Sequence, residues 1–69
     1  MDVRVFAIRL RELREEKGIS VYALEREIKL GNGTVGRWEK GFRDITSDNL
    51  ILLAKFFDVS ADYLLGLED

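Results

Sequence analysis

The sequence predicts an all-α chain of five short helices, and three observations predict it. Hydrophobic residues recur three, four and seven positions apart; serines and glycines fall where helices would be capped and stopped; and no stretch alternates apolar and polar residues long enough to make a strand between turn signals. Proline is absent, so boundaries rest on glycine, caps and hydrophobic spacing. No internal repeat or low-complexity segment interrupts the pattern. Sixty-nine residues suffice for one core and not for two, so residues 1–69 are read as a single domain.

The first helix is expected over about Asp2 to Lys17. Phe6, Leu10 and Leu13 share one face there, and Gly18 supplies the stop. Ser20 is placed to cap a short second helix with Leu24 and Ile28 inward. A tight connection over Lys29 to Gly31 leads to a third helix, about 32–40, which pairs Val35 with Trp38 and ends at Gly41. Ser47 is the expected cap of a fourth helix bearing Leu50, Leu53, Ala54 and Phe57. Ser60 caps a fifth, with Leu64 and Leu65 inside and Gly66 closing it. The second and third helices are too short to persist alone, so the longer first and fourth must form the scaffold that holds them.

Composition excludes several classes of chemistry. Cysteine and histidine are absent, which removes disulfides and the usual zinc sites, and no metal or other cofactor is expected. No run of eighteen apolar residues or basic-then-apolar N-terminus occurs, so a soluble cytoplasmic protein without membrane contact is expected. The acids Glu15 and Glu16, or Glu25 and Glu27, are adjacent or two apart and share no helix face, so they are read as surface charge. With no serine beside a plausible base, nucleophilic catalysis has no supporting groups; neither an enzyme nor a small-molecule substrate is expected.

The net charge of −2 is unevenly spread. Residues 1–43 carry ten Lys or Arg against seven Asp or Glu, and residues 44–69 carry only Lys55 against six acids. A basic face on an acidic chain is therefore feasible, because a ligand responds to local potential.

The stretch SVYALEREIKLGNGTVGRWEKG, Ser20 to Gly41, has the spacing of a helix-turn-helix with Leu24, Ile28, Leu30, Val35 and Trp38 inward. In that motif the second helix lies in the major groove of DNA, which requires one apolar face and one uncrowded polar face. Asn32, Gly33, Gly36, Arg37 and Lys40 fall on the polar side.

Together, RLRELREEKGIS, TVGRWEKG and VSADYLLG resemble the Cro/C1-type (XRE) repressor family over nearly the whole chain. Gly31, Asn32 and Gly36 are similar to the recognition helix of lambda-type repressors. The resemblance implies a five-helix, lambda-repressor-like domain that binds double-stranded DNA as a homodimer. It also implies a transcriptional regulator, expected to be a repressor, bacterial and often phage- or prophage-encoded, acting on a pseudo-palindromic operator.

Carried over by position, Asn32, Gly33 and Arg37 fall where the family reads bases, and Lys40 and the following loop, with Arg43, where it touches phosphate. Arg can pair bidentately with guanine O6 and N7, and Asn with adenine N6 and N7. Thr34 suits a phosphate or a thymine methyl, and Gly31 and Gly33 allow close approach of backbone amides to phosphate. The other reading of Asn32 is a helix cap, and the other reading of Lys40 and Arg43 is a favourable charge at a helix C-terminus. Arg9, Arg11 and Arg26 border the groove or form a solvated face.

The sequence departs from the family at Val21, where a phosphate-gripping Gln is usual, at Glu25, where a small residue is usual, and at Lys29, the usual turn glycine. Tyr22 or the backbone at the start of the second helix is the candidate replacement for the lost phosphate contact. By the same resemblance Arg14 and Glu39 form an internal ion pair; Trp38 is read as core because Val35, three residues before it, defines the buried stripe.

The fourth helix is more apolar than one buried face requires, and Ile51, Phe56, Tyr63 and Leu67 are the candidate dimer surface, with Leu52, Val59 and Leu64 nearby; packing inside a single subunit is the other reading. Two alternatives accompany this reading: a protein-interaction module of the same fold, antitoxin- or antirepressor-like, or the N-terminal part of a longer two-domain repressor.

Overall fold

The computed structural model describes residues 2–69 and contains five helices: α1 (Val3–Glu16), α2 (Val21–Glu27), α3 (Thr34–Glu39), α4 (Ser47–Phe57) and α5 (Ala61–Leu65). No strand occurs among the described residues. α1 packs against α3 and α5, α2 against α3, and α4 against α5. The all-α expectation and the helix count therefore agree with the structure.

Four of the five helices begin at a side-chain cap supplied by the residue before them. Asp2 accepts from the amides of Arg4 (2.9 Å) and Val5 (3.5 Å), Ser20 from Ala23 (3.0 Å), and Ser60 from Tyr63 (3.0 Å). The expected cap of α4 is corrected: Thr46 accepts from the Asn49 amide (3.2 Å), and Ser47 is the first helical residue. Thr46 has the extended backbone a cap needs, φ −85° and ψ 161°, so the chain turns one residue earlier. Two non-glycine residues take the left-handed conformation, Lys29 (φ 58°) in the turn after α2 and Asp58 (φ 55°) at the end of α4.

The core contains Phe6 and Leu10 from α1, Leu24 from α2, Val35 and Trp38 from α3, Leu53 and Ala54 from α4, and Leu64 from α5. Phe6 and Trp38 meet edge to face, with centroids 6.4 Å apart, at the centre of the α1–α3 contact. Leu13, Ile28, Leu30, Leu50 and Phe57 are half-buried against this cluster. Leu65, expected inside with Leu64, is only half-buried; adjacent side chains on a helix point about 100° apart, so with Leu64 turned to the core Leu65 lies at its margin. Where α5 ends, Gly66 lies close enough to Val5 that a Cβ would come within 3.0 Å of its Cγ1, so this corner of the α1–α5 contact is filled by backbone.

Candidate nucleic-acid interface

Two short helices joined by a turn, α2 and α3, are held against the scaffold by Leu24, Val35 and Trp38. Because Val35 and Trp38 face inward, the other side of α3 and its flanks reach solvent: Asn32, Gly33, Arg37 and Lys40 are exposed, and Thr34 and Gly36 are half-buried. A Cβ added at Gly33 or Gly36 would meet nothing within 4 Å, so this surface is open at both positions. Gly31 is exposed but has no left-handed backbone, unlike Gly33 at φ 87°. Arg43 is exposed in the loop that follows, and Tyr22 on α2 is 71% exposed.

α3 covers Thr34–Glu39, shorter than the 32–40 expected. Gly33 occupies its cap position and has no side chain to close the first turn, so Asn32 is not the cap. The capping group comes from α2 instead: the Glu25 carboxylate, 2% exposed, accepts from the Val35 amide at 2.8 Å through Oε2. Its other oxygen, Oε1, is buried and takes no hydrogen bond from the described residues. The reading of Glu25 as surface charge is therefore corrected. A carboxylate is favoured there because the first amides of a helix lack intrahelical acceptors and carry the positive end of its dipole. The signal lay in the sequence as a glycine preceding a helix that needs an acceptor, but nothing local pointed ten residues back.

The rear of α3 is tied to α1. Arg14 donates to Glu39 from Nε (2.7 Å) and Nη2 (3.0 Å) and to the Ile19 carbonyl from Nη1 (2.9 Å), with the side chains of the pair 13% and 10% exposed. The hydrogen bond to Glu39 pushes the Arg14 guanidinium further above its ordinary value. Arg14 is thus spent on architecture at this end of α3.

Arg37 is engaged as well. Its Nε donates to Asp44 Oδ2 at 3.0 Å and its Nη2 bonds the same oxygen, joining α3 to the loop before α4. This hydrogen bond holds the Asp44 carboxyl below the usual range. Asp44 lies seven residues from Arg37 in an irregular loop, where no periodicity reveals a partner.

The remaining cations divide sharply. Arg9 donates to the carbonyls of Tyr63 and Glu68 and lies over the Tyr63 ring at 4.3 Å, tying α1 to α5. It therefore does not border the α3 surface as a free charge. Arg4 sits beside Asp2, Arg11 beside Glu15, and Lys17 over the Phe56 ring. Among the described residues, Arg26, Lys29, Lys40, Arg43 and Lys55 take part in none of these ion pairs or ring contacts. Four of the five belong to α2, its turn and the segment following α3.

Of the candidate dimer surface, Ile51 and Leu67 are exposed, as is neighbouring Leu52. Phe56 and Tyr63 are half-buried, the first packed edge-on to Phe57 and the second under Arg9. No helix is long and apolar enough to cross a membrane among the described residues.

A helix-turn-helix family profile matches residues 10–64. The chain is 33% identical over 61 residues to the HTH-type transcriptional regulator ImmR of Bacillus subtilis, covering 88% of this chain and 48% of that protein. It is 34% identical over 65 residues to the uncharacterized HTH-type transcriptional regulator YobD of the same organism, covering 94% and 58%. It is 42% identical over 55 residues to the HTH-type transcriptional regulator PrpR of Mycobacterium tuberculosis, covering 80% and 11%. The chain thus spans about half the length of the first two relatives.

Proposed function

The chain belongs to the helix-turn-helix family, and from that premise we propose that it binds double-stranded DNA sequence-specifically as a transcriptional regulator, not as an enzyme. The observation that carries this reading is the exposed polar surface of α3 and its flanks, beside cations that form no ion pair among the described residues. Arg26, Lys29, Lys40 and Arg43 supply phosphate attraction, while α3 lies in the major groove. Asn32 and Arg37 read base edges there, and Gly33 brings the backbone close to them. Tyr22, Gly31 and Thr34 contact the phosphates on either side. The three relatives are all described as transcriptional regulators, which supports the same role here.

The action is that of a repressor of phage or prophage type, bound as a dimer to a pseudo-palindromic operator. Exposed Ile51, Leu52 and Leu67, with half-buried Phe56 and Tyr63, form its two-fold surface. A symmetric pair would set two copies of α3 about 34–36 Å apart, one turn of duplex.

Selection of duplexes from a random pool, followed by binding of the winner to wild type and Arg37→Ala at two salt concentrations, tests the proposal. A two-fold site, binding that falls with salt, and relaxed preference at one base pair per half-site with Arg37→Ala are expected. Absence of any enriched sequence at low salt refutes specific recognition.

A further inference from the structure

We propose that Asp44 is a specificity-determining residue: it holds the Arg37 guanidinium by its side edge and leaves the end-on fork free to pair with guanine. The inference rests on the reading of Arg37 as a base-reading residue. Nε and Nη2 both donate to Oδ2 of Asp44, whereas Nη1 makes no protein hydrogen bond among the described residues. A guanidinium presents five N–H groups in a rigid plane, so occupation of the Nε edge leaves Nη1 and the outer hydrogen of Nη2 pointing the same way. That is the pair of donors that bidentate recognition of guanine O6 and N7 requires.

Two consequences distinguish a held Arg37 from a free one. The long side chain has already lost rotamer freedom before DNA arrives, so less is lost on forming the base contact. The carboxylate also cancels the charge of Arg37, so away from guanine the pair has little attraction for phosphate, and a mismatched base leaves an acid in the groove of a polyanion. The first effect favours the right sequence and the second weakens binding to the wrong ones, so both widen the gap between them. Asp44 belongs to the loop before α4 and not to α3, so the aim of Arg37 is set from outside the helix that carries it.

The test compares wild type, Asp44→Ala, Asp44→Asn, Arg37→Ala and the Arg37→Ala/Asp44→Ala double variant. Each is measured against the selected duplex, the same duplex altered at the base pair Arg37 reads, and a random-sequence duplex. Both side chains are nearly half exposed, so the fold is expected to be retained, checked by circular dichroism. For Asp44→Ala, binding to random duplex rises and discrimination at that base pair falls, each by about two- to five-fold, the span that exposed ion pairs reach. Asp44→Asn is intermediate, and the effect on discrimination disappears when Arg37 is already alanine.

If Asp44→Ala strengthens binding to every duplex equally, with or without Arg37, the carboxylate acts only as a repelling charge and the proposal is overturned. If Arg37→Ala relaxes a base preference and Asp44→Ala does not, the proposal falls and the reading of Arg37 stands. If Arg37→Ala changes no preference, both fall.

Discussion

Replacing Glu25 by alanine tests whether a carboxylate on α2 holds the start of α3. The side chain is 2% exposed and takes the Val35 amide at 2.8 Å, where Gly33 offers no capping group. Removing the acceptor leaves a buried donor unpaired, which costs about 1–3 kcal/mol. This bond is also the cap, so the separate cost of about 0.5–2 kcal/mol for losing a cap is the same energy counted from the helix side. Part of the loss is offset because Oε1 is buried without a partner in the wild type, and that desolvation disappears with the side chain. A net loss of about 1–2 kcal/mol follows, a substantial share of the roughly 3–10 kcal/mol expected for a chain of 69 residues. Glu25→Gln keeps a carbonyl acceptor for Val35 but loses its charge, and should cost less than the alanine variant. Thermal unfolding followed by circular dichroism should show a fall in Tm of roughly 5–15 °C for Glu25→Ala. An unchanged or raised Tm would refute the reasoning, because relief of the buried carboxylate would then outweigh the bond it makes.

Three further outcomes are expected. Arg14→Leu or Glu39→Leu alone should cost about 2–3 kcal/mol in urea unfolding, between exposed and fully buried pairs, while the double variant recovers most of it by removing both charges; single losses below about 0.5 kcal/mol would show that the pair does not tie α1 to α3. Lys29→Gly should stabilise by about 1 kcal/mol in the same assay, by relieving a left-handed lysine, and, on the proposed reading of Lys29 as a phosphate partner, should lessen the salt dependence of DNA binding. The Asp44 carboxyl should titrate by NMR below the ordinary aspartate value of about 3.9, and Arg37→Ala should return it. Because the folded-state value is the lowered one, the stabilisation from this pair is full above the ordinary value and is lost as pH falls through the folded value.

The parts of the fold that were legible are those fixed by neighbours in sequence. Ser20 and Ser60 cap the helices they immediately precede, and the i, i+3 pair Val35 and Trp38 is buried. Thr46 and Ser47 are adjacent hydroxyl residues with equal capping chemistry, and only the backbone angles decide between them. Of the candidate interface, the exposure of Asn32, Gly33, Arg37 and Lys40 on and beside α3 was legible, but its supports were not. Glu25 is a charged residue in a helix that also carries Arg26 and Glu27, and local pattern assigns all three to solvent. It is the packing of α2 on α3 that turns one of them inward, onto an amide ten residues away. Asp44 and Arg9 escape the same way, because their partners are set by a loop conformation and by the meeting of α1 with the C-terminal segment.

The same side-chain partners account for how a chain of net charge −2 can approach a polyanion. Net charge treats eleven basic residues alike, yet the structure commits Arg9 and Arg14 to carbonyls and a carboxylate inside the fold and Arg37 to Asp44. Glu39 is likewise neutralised by Arg14, so it subtracts little from the potential around α3. Of the acids near Arg26, Lys29, Lys40 and Arg43 in sequence, Glu27 is exposed and Asp44 is already paired with Arg37. Most of the acids of residues 44–69 belong to α4, α5 and the C-terminal segment, in a molecule 27 × 22 × 19 Å across. A Debye length of about 8 Å at physiological salt screens charges farther than that from a bound phosphate. On the proposed reading, duplex affinity is governed by Arg26, Lys29, Lys40 and Arg43, which form no ion pair among the described residues, and the acidic total weighs chiefly at low ionic strength, where screening fails.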